Sequence, residues 1–309
     1  PFFMVKLGID LMGGDQAPSA VMEGLQLVWP HLKPETSITL YGTAEALALV
    51  PDSLRLDKIV CSDFIAMDEH PVKALQQKKD STLVRAFADA AKQKISAVAS
   101  AGHSGAIMVA SMQILGLIDG ISRPVVLSVF PKIDGKPLVV LDVGINVDCK
   151  AEQFLEFARI GTIYAEKVLG IPNPKVSLLN SGTEKSKGSL LYQKAHSLLA
   201  EYSVIQFAGN LEPRDLFDNE VDVLVCDGFT GNIVLKEVEA FFSLSQKLGL
   251  EHSFLEQLNY ENHGGSPILG VKGNVILAHG ASGPEAIKNM ILSAESIALA
   301  NFVSQLSSI

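Results

Sequence analysis

The chain has 309 residues, of which 48% are hydrophobic, 19% charged and only 6% aromatic, and its formal net charge is −9. This length allows one large domain or two modest lobes with a substantial core, which excludes a small disulfide-stapled scaffold. The composition is globular rather than disordered or collagen-like. The acidic excess argues against a broad nucleic-acid-binding surface, because such a surface needs a dense cationic face.

The cysteines and the apolar runs indicate the compartment. Cys61, Cys149 and Cys226 are far apart and include no C-x-x-C pair, so we predict neither a disulfide framework nor a cysteine zinc site, and a reducing cytosol fits best. No apolar run reaches the roughly 18 residues that a membrane span needs, which predicts a soluble protein. Residues 1–3 precede Met4, which has the character of a natural start, so we treat them as an added tail. We predict one domain over residues 4–309, with any division into lobes near residue 120.

Short aliphatic runs alternate with longer amphipathic segments along the chain. The runs predict buried strands, at residues 5–9, 37–41, 95–99, 125–130, 138–141, 175–179 and 221–226. The segments between them predict helices that begin near Pro18, at Ser81, at Glu152 and near Pro284; the second of these runs to about Lys94. We therefore predict a three-layer α/β/α fold with a mainly parallel sheet, in which ligands bind beyond the carboxyl ends of the strands.

Three glycine-containing turns join a predicted strand to a predicted helix, and they are residues 10–18, 99–106 and 227–232. Such a turn at a helix N-terminus offers unpaired backbone N–H groups, which suit a phosphate or a developing oxyanion. Each turn alone is equally explained as a tight turn with a capping Asp, Ser or Thr. Because three of them lie at strand ends, we predict one shared anion site.

Other motifs exclude some classes of site and leave one alternative open. The chain has no G-x-G-x-x-G, no P-loop Lys-Ser/Thr after residues 265–270 and no H-E-x-x-H, so we predict no nucleotide cofactor and no metal. Residues 102–106 approximate the G-x-S-x-G nucleophile elbow, with Ala in the last place. Ser104, Asp227 and His279 follow in the chain order of an α/β serine hydrolase, which is therefore an alternative.

A set of longer segments carries a family resemblance. Residues 9–18 read Ile-Asp-Leu-Met-Gly-Gly-Asp-Gln-Ala-Pro, and further segments follow in order at residues 67–73, 78–81, 100–102, 141–144, 146–149, 227–232, 264–265 and 278–280. Together they closely resemble the phosphate acyltransferases of the PlsX type, and the resemblance extends from Met4 to the C-terminus.

The resemblance implies transfer of a fatty acyl group from acyl carrier protein to inorganic phosphate, which gives acyl phosphate for phospholipid synthesis. It implies a fold similar to the isocitrate/isopropylmalate dehydrogenase and phosphotransacetylase group, a homodimer without nucleic acid, and a cytoplasmic location with contact to the inner face of the cell membrane. A non-catalytic scaffold that binds phosphate or the carrier protein would share the same turns and is a second alternative.

The chain departs from the family pattern in three places. His103 and Ser104 stand where the family has Asn-Thr, and residues 181–184 are an altered version of another family turn. The stretch 238–260 is shorter than in the family, whose helical protrusion there is associated with the membrane surface. The departures concern the roles of the two side chains at residues 103 and 104, and the membrane contact.

The implied chemistry determines which residues the site needs. Phosphate near neutral pH carries roughly one to two negative charges, so it can attack a thioester without a strong general base. What remains is positioning and oxyanion stabilisation, where losing one N–H donor costs about 3 to 4 kcal/mol. We assign catalytic roles to Asp10, Gly13, Gly14, Ser104, Asp227 and Asn232. We assign phosphate or oxyanion contacts to Gly102, Gly105, Thr230, Gly231, Lys73, Lys79 and Lys187.

Further residues are assigned to the turns, to proton transfer and to docking. Five residues are predicted to shape their turns by accepting from backbone N–H groups, namely Asp10, Asp142, Asn146, Asp227 and Asn232. His70 and His279 are candidate proton donors to the leaving thiolate, although a structural role is the better explanation for either histidine. An acidic enzyme can bind an acidic carrier protein only through a local basic face. The candidates for that face are Lys73, Lys78, Lys79 and Arg85.

Overall fold

The computed structural model describes residues 4–51, 56–262 and 264–308. Residues 1–3, which were predicted to be an added tail, lie outside the described residues. The chain divides into two compact units. Unit 1 is Pro1–Ile118 with Tyr260–Ser304, and unit 2 is Asp119–Asn259 with Gln305–Ile309.

The strands and helices follow one another along the chain in a mostly alternating order. They are β1 (Val5–Asp10), α1 (Ser19–Val28), β2 (Thr36–Gly42), α2 (Ala44–Ala48), β3 (Asp57–Val60), α3 (Pro71–Gln77), α4 (Thr82–Ala91), β4 (Ala97–Ser100), α5 (Ser104–Ala110), β5 (Val125–Pro131), β6 (Pro137–Leu141), α6 (Gln153–Lys167), β7 (Lys175–Leu179), α7 (Leu190–Glu201), β8 (Gln206–Leu211), β9 (Val223–Val225), α8 (Gly228–Lys247), α9 (Ser253–Gln257), β10 (Ser266–Leu269), β11 (Asn274–Leu277), α10 (Pro284–Leu299) and α11 (Phe302–Ser307).

In unit 1 the strand order is β3-β2-β1-β4-β11-β10. The pairs from β3 to β11 are parallel, and only the β10–β11 hairpin is antiparallel. Helix α4 forms because the Ser81 hydroxyl caps its N-terminus by accepting from the Val84 N–H, and because one face is apolar. Helices α1 and α10 pack closely, since a side chain at Gly24 would place its Cβ 2.5 Å from a methyl carbon of Ile287.

In unit 2 the strand order is β5-β6-β9-β7-β8. The β5–β6 hairpin is antiparallel, and the remaining pairs are parallel. Helix α6 packs its buried face on β6 and β9, where Gly161 allows close approach to Val223 and Leu141. The carboxyl ends of β6 and β9 lie side by side, because Leu141 is paired with Val225.

The predicted fold class is confirmed, since all seven predicted strands and the four predicted helices occur in a three-layer α/β arrangement. The prediction missed β3, β8, β10 and β11. Strand β3 is an exposed edge strand that begins with Asp-Lys, and β8 contains Gly209 with φ +91°, so neither has the aliphatic pattern of a buried strand. Helix α4 ends at Ala91 rather than near Lys94, because the chain turns at Gln93, where φ is +56°.

Among the described residues, no helix combines the length and the apolar character needed to cross a bilayer.

Candidate functional site

Two groups of loops at the carboxyl ends of strands hold most of the residues singled out from the sequence. In unit 1, β1, β4 and β11 are neighbouring parallel strands, so the loops that follow them emerge at one edge of the sheet. We call these loops, residues 10–15, 100–105 and 278–282, the first turn cluster. In unit 2, the second turn cluster consists of residues 142–149, 189–192 and 227–232.

The first turn cluster is built around the carboxyl group of Asp10. This side chain is only 4% exposed, and its Oδ2 accepts from the Ser100 hydroxyl at 2.8 Å while its Oδ1 accepts from the Met12 N–H at 3.1 Å. The Ser100 Oγ in turn accepts from the Gly102 N–H at 3.0 Å. Burial raises the pKa of Asp10, and the hydrogen bonds oppose that rise without cancelling it.

The glycines of this cluster bring the turns into contact. A Cβ at Gly13 would lie 2.6 Å from Ser100 Oγ and 2.8 Å from the Gly102 nitrogen, so any side chain there would separate the two turns. Gly14 has φ +111°, a conformation that side chains disfavour, and its chain neighbour Asp15 donates its N–H to the Gly280 carbonyl at 2.7 Å. The predicted turns 10–18 and 99–106 therefore do meet, together with the loop at Gly280.

The backbone donors of the first turn cluster differ in availability. The Gly102 N–H is taken by Ser100, so Gly102 serves close packing and cannot be the anion donor that the sequence suggested. Within the described chain, the N–H groups of Gly14, Ser104 and Gly105 have no internal acceptor. They are the donors in this cluster that remain free for a bound anion.

His103 explains one departure from the family pattern. It is the N-cap of α5, and its Nδ1 accepts from the Ala106 N–H at 3.3 Å. A ring nitrogen thus accepts from the helix backbone, as the side-chain oxygen of an N-cap Asn does, so the substitution preserves the cap. Ser104 is the first residue of α5 and its side chain is exposed.

The second turn cluster is built around Asp142, which is fully buried. Its Oδ1 accepts from the N–H groups of Val126, Gly144 and Ile145 at 3.1 to 3.3 Å. Its Oδ2 accepts from the backbone N–H and the side-chain amide of Asn146 at 2.6 and 2.7 Å. Burial raises the pKa of Asp142, and these N–H donors oppose the rise. Asp142 thus accepts from backbone N–H groups as predicted, but Asn146 does not: its side-chain amide donates to Asp142 and to the Pro124 carbonyl, and its Oδ1 has no hydrogen-bond partner among the described residues.

Asp227 is the N-cap of α8. Its Oδ1 accepts from the Thr230 N–H and its Oδ2 from the Thr230 hydroxyl, both at 2.8 Å. The Tyr192 hydroxyl of α7 also donates to Asp227 Oδ2, and it accepts from the Asp227 N–H at 3.2 Å. Because Asp227 and Gly231 share a hydrogen bond within the first turn of α8, the N–H groups of Thr230 and Gly231 are occupied and are not the free anion donors that the sequence suggested.

The glycines of α8 position this cap against β6. A Cβ at Gly231 would lie 2.0 Å from the Asp142 carbonyl oxygen, and one at Gly228 would lie 2.6 Å from the Asn146 nitrogen. Glycine is therefore required at both positions for the first turn of α8 to contact the β6–α6 loop. Asn232, which follows on α8, is half-buried.

An open pocket of about 340 Å³ lies within the second turn cluster. We call it the unit 2 pocket; its lining residues are Val147, Asp148, Cys149, Ser189, Leu191, Tyr192, Asp227 and Phe229. Of these, the sequence had singled out Asp227 for chemistry. Tyr192 was missed because a tyrosine on an amphipathic helix is typical of a core position, and its contact with Asp227 joins residues 35 positions apart.

The cations predicted to bind phosphate or the carrier protein are dispersed. Lys78 donates to the Phe64 carbonyl and to Glu69, both at 2.8 Å, and so holds the 63–69 loop together. Arg85 pairs with Asp80 at 2.5 Å. Lys187 in unit 2 lies 3.8 Å from Glu184.

The remaining predicted polar residues lie at the surface. Lys73 and Lys79 are exposed, and within the described residues neither has an ion pair. His70 is the exposed N-cap residue of α3, and its side chain makes no capping hydrogen bond. His279 is also exposed and lies in the first turn cluster.

The structure gives no support to the serine hydrolase alternative. A nucleophile elbow places the serine on a strained turn between strand and helix, whereas Ser104 belongs to α5 itself. The non-glycine residues with positive φ in the described chain are Gln93, Asn173 and Asn301. Ser104 and His279 belong to unit 1 and Asp227 to unit 2, so one shared site for all three predicted turns stays a prediction. In the part of the chain that the structure describes, no group of three His, Cys, Asp or Glu side chains could hold a metal ion.

Solved structures define the class of fold. A branched-chain phosphotransacylase from Enterococcus faecalis V583 superposes with a TM-score of 0.68 at 15% identity, covering 96% of this chain and 99% of its own. A phosphotransacetylase from Streptococcus pyogenes gives a TM-score of 0.64 at 19% identity, covering 96% of this chain and 94% of its own. The chain thus has the fold of the phosphotransacylases.

Sequence relatives identify the family. Residues 5–253 match the family model described as fatty acid synthesis protein. The phosphate acyltransferases of Staphylococcus aureus strains bovine RF122 / ET3-1 and MSSA476 are each 40% identical over 312 residues, covering 94% of this chain and 94% of their own. The chain belongs to the phosphate acyltransferase family, which confirms the resemblance found in the sequence.

Proposed function

We propose that this protein transfers a fatty acyl group from the thioester of acyl carrier protein to inorganic phosphate, giving acyl phosphate and the free thiol of the carrier. The observation that carries the proposal is the 40% identity to phosphate acyltransferases over 94% of the chain. The first turn cluster supports it, because its free N–H donors suit a phosphate or an oxyanion without any nucleotide motif.

The proposed reaction needs positioning more than strong acid or base groups. A phosphate oxygen attacks the thioester carbonyl carbon, and the carbonyl oxygen becomes an oxyanion in the tetrahedral intermediate. The C–S bond then breaks, and the proton of hydrogen phosphate ends on the leaving thiolate. The N–H groups of Gly14, Ser104 and Gly105 are the proposed donors to the phosphate or to the oxyanion, and Asp10 holds their turns in register through Ser100.

One assay separates the proposed transferase from its alternatives. The purified protein is incubated with long-chain acyl carrier protein with and without phosphate, and thiol release and the phosphorylated product are followed. We expect release that depends strictly on phosphate and yields acyl phosphate. Release without phosphate would instead indicate a hydrolase, and binding of acyl carrier protein without any release would indicate a scaffold.

We also propose that the enzyme is a cytoplasmic homodimer that contacts the inner face of the cell membrane. Helix α8 supports an association surface, because four of its apolar side chains are each between 47% and 58% exposed, namely Phe229, Ile233, Phe241 and Leu244. Sedimentation equilibrium tests the dimer, and flotation with anionic lipid vesicles tests the membrane contact. A monomer that stays unbound to vesicles would contradict both parts.

A further inference from the structure

The unit 2 pocket has a chemistry unlike that of an anion site. Asp148 and Asp227 contribute two carboxyl groups to its wall, and neither lysine nor arginine is among the residues that line it. A phosphate entering this pocket would meet like charge without a cation among the lining residues to compensate. The pocket is therefore suited to a neutral ligand.

The lining also selects among neutral ligands. Val147, Leu191 and Phe229 offer apolar contacts, while Asp148, Ser189 and Tyr192 offer oxygen atoms that can accept hydrogen bonds. A bare hydrocarbon chain would strip water from these oxygens and give nothing in return, which costs free energy. A ligand with both methyl groups and N–H donors could contact the apolar residues and also donate hydrogen bonds to the oxygen atoms.

The hydrogen bonds that the lining residues already make limit which of them can accept from a ligand. Asp227 already accepts from Thr230 and Tyr192. The Ser189 hydroxyl accepts from the Tyr192 N–H, and the Tyr192 hydroxyl accepts from the Asp227 N–H. The acceptor left for a ligand is Asp148, whose side chain is exposed and has no hydrogen bond within the described residues. The pocket volume of about 340 Å³ is at the small end of ligand pockets. It fits one flexible arm rather than a folded partner.

We propose that the unit 2 pocket binds the pantetheine arm of the thioester donor, with Asp148 accepting from an amide N–H and with Val147, Leu191 and Phe229 contacting its methyl and methylene groups. The inference rests on the proposed function, because that function supplies a donor carried on such an arm. The residues assigned here to contact the arm all belong to unit 2.

Cys149 provides a test that does not depend on turnover. It is the partly exposed cysteine of the pocket wall, whereas Cys61 and Cys226 are buried at 2% and 0% exposure. Burial raises the pKa of the Cys149 thiol to about 12, so alkylation is slow and its rate is easily followed. The experiment alkylates the full chain with N-ethylmaleimide, with and without S-methylpantetheine, and measures modification of Cys149 by peptide mass spectrometry.

We expect saturating S-methylpantetheine to slow alkylation of Cys149 by about threefold or more. Val147→Trp should abolish this protection and raise the KM for acyl-pantetheine by about tenfold while leaving the KM for phosphate within about twofold. Asp148→Ala is a second variant that removes the acceptor without adding bulk, and it should raise the same KM by about threefold. Val204→Trp, at an exposed position outside the pocket, is the matched control and should change neither constant.

The outcomes separate this inference from the proposed function. Normal phosphate-dependent transfer with no protection of Cys149, and with Val147→Trp indistinguishable from Val204→Trp, would overturn the pocket assignment alone. Protection of Cys149 in a protein that transfers no acyl group to phosphate would support the pocket and overturn the proposed function.

Discussion

Asp10 and Asp142 are both buried carboxyl groups at strand ends, but they meet different sets of hydrogen-bond donors. Asp142 accepts from four backbone N–H groups and one side-chain amide, whereas Asp10 accepts from one backbone N–H group, that of Met12, and from the side chains of Ser100 and Thr82. An asparagine at residue 142 would turn an NH2 group, which cannot accept, toward some of these N–H donors. The same change at residue 10 leaves Ser100, whose hydroxyl can rotate and accept.

Asp142→Asn should therefore lower the free energy of unfolding by about 2 to 4 kcal/mol, because buried N–H donors lose an ionic acceptor. Asp10→Asn should cost about 1 kcal/mol or less. Urea unfolding followed by far-ultraviolet circular dichroism measures both. Equal losses in the two variants would contradict the assignment of Asp142 as the main organiser of its turn.

The raised pKa of Asp10 predicts a pH dependence of stability. Because burial raises this pKa above the usual value of 3.8, the folded protein keeps a proton on Asp10 in a pH range where the unfolded chain has lost it. The unfolding free energy of the wild type therefore falls, relative to Asp10→Asn, as the pH rises from about 4 through the raised pKa. Urea titrations of both proteins between about pH 4 and pH 8 measure this change in relative stability. A wild type that gains stability relative to Asp10→Asn as the pH rises would contradict the prediction.

At the scale of elements, two helices have a glycine in their first turn that meets different surroundings, Gly231 in α8 and Gly105 in α5. The Cβ that Gly231→Ala adds would lie 2.0 Å from the Asp142 carbonyl oxygen and 2.9 Å from Cys226 Sγ, and neither the backbone nor the buried thiol can move freely. Gly105→Ala also adds a methyl group in the first turn of a helix, but it meets only side-chain atoms of His103 and Pro71 at 3.0 to 3.3 Å.

Gly231→Ala should destabilise the protein by about 3 kcal/mol, because overpacking outweighs the better helix propensity of alanine. Gly105→Ala should change stability by less than about 1 kcal/mol. The midpoints of thermal unfolding compare the two variants. A Gly231→Ala protein as stable as the wild type would show that α8 can shift away from β6.

The turn at Gly14 tests the anion site at the same scale. Gly14→Val places a branched side chain where φ is +111° and where its Cβ would lie 3.2 Å from the Gly280 carbonyl oxygen. We expect phosphate-dependent turnover of the folded variant to fall at least about a hundredfold, as for loss of an oxyanion donor. The matched control is Gly135→Val, where φ is +81° but nothing lies within 4 Å of the added Cβ. Unchanged turnover in Gly14→Val would remove this turn from the site.

At the scale of the whole molecule, the net charge of −9 limits how an acidic carrier protein can dock. Two of the four predicted docking cations are engaged internally, Lys78 with Glu69 and Arg85 with Asp80. These pairs reduce the positive potential that they could offer a partner. Lys73 and Lys79 are exposed and have no acidic partner among the described residues. We therefore expect these two lysines to contribute most to docking of the carrier protein.

Reversing both charges, Lys73→Glu with Lys79→Glu, should raise the KM for acyl carrier protein by about tenfold at low salt and by less at high salt. The KM for acyl-pantetheine, which lacks the carrier protein, should stay unchanged. Lys92→Glu with Lys236→Glu alters the net charge by the same amount at other exposed positions and is the control. A similar effect in both double variants would mean that net charge, and not this face, governs docking.

The sequence was sufficient for the seven strands with an aliphatic pattern and for the glycines that follow them, but it did not reveal which backbone N–H groups are free to bind an anion. Short aliphatic runs and strand-end glycines are local patterns, so β1, β4, β6 and β9 were found together with the turns that follow them. Whether the N–H of Gly102 or of Thr230 is free depends on Ser100 and Asp227, and that is a matter of side-chain geometry.

By itself, the sequence determined the layered α/β fold and the family, because hydrophobic periodicity and the order of the motifs can be read directly from the residues. Only the tertiary structure decided that turns 90 residues apart meet through Asp10 and Ser100. It also decided that Tyr192 reaches Asp227 and that an acidic pocket lies beside them. The physical reason is that these contacts join strands and helices distant in the chain, where no local spacing records which side chains share a hydrogen bond.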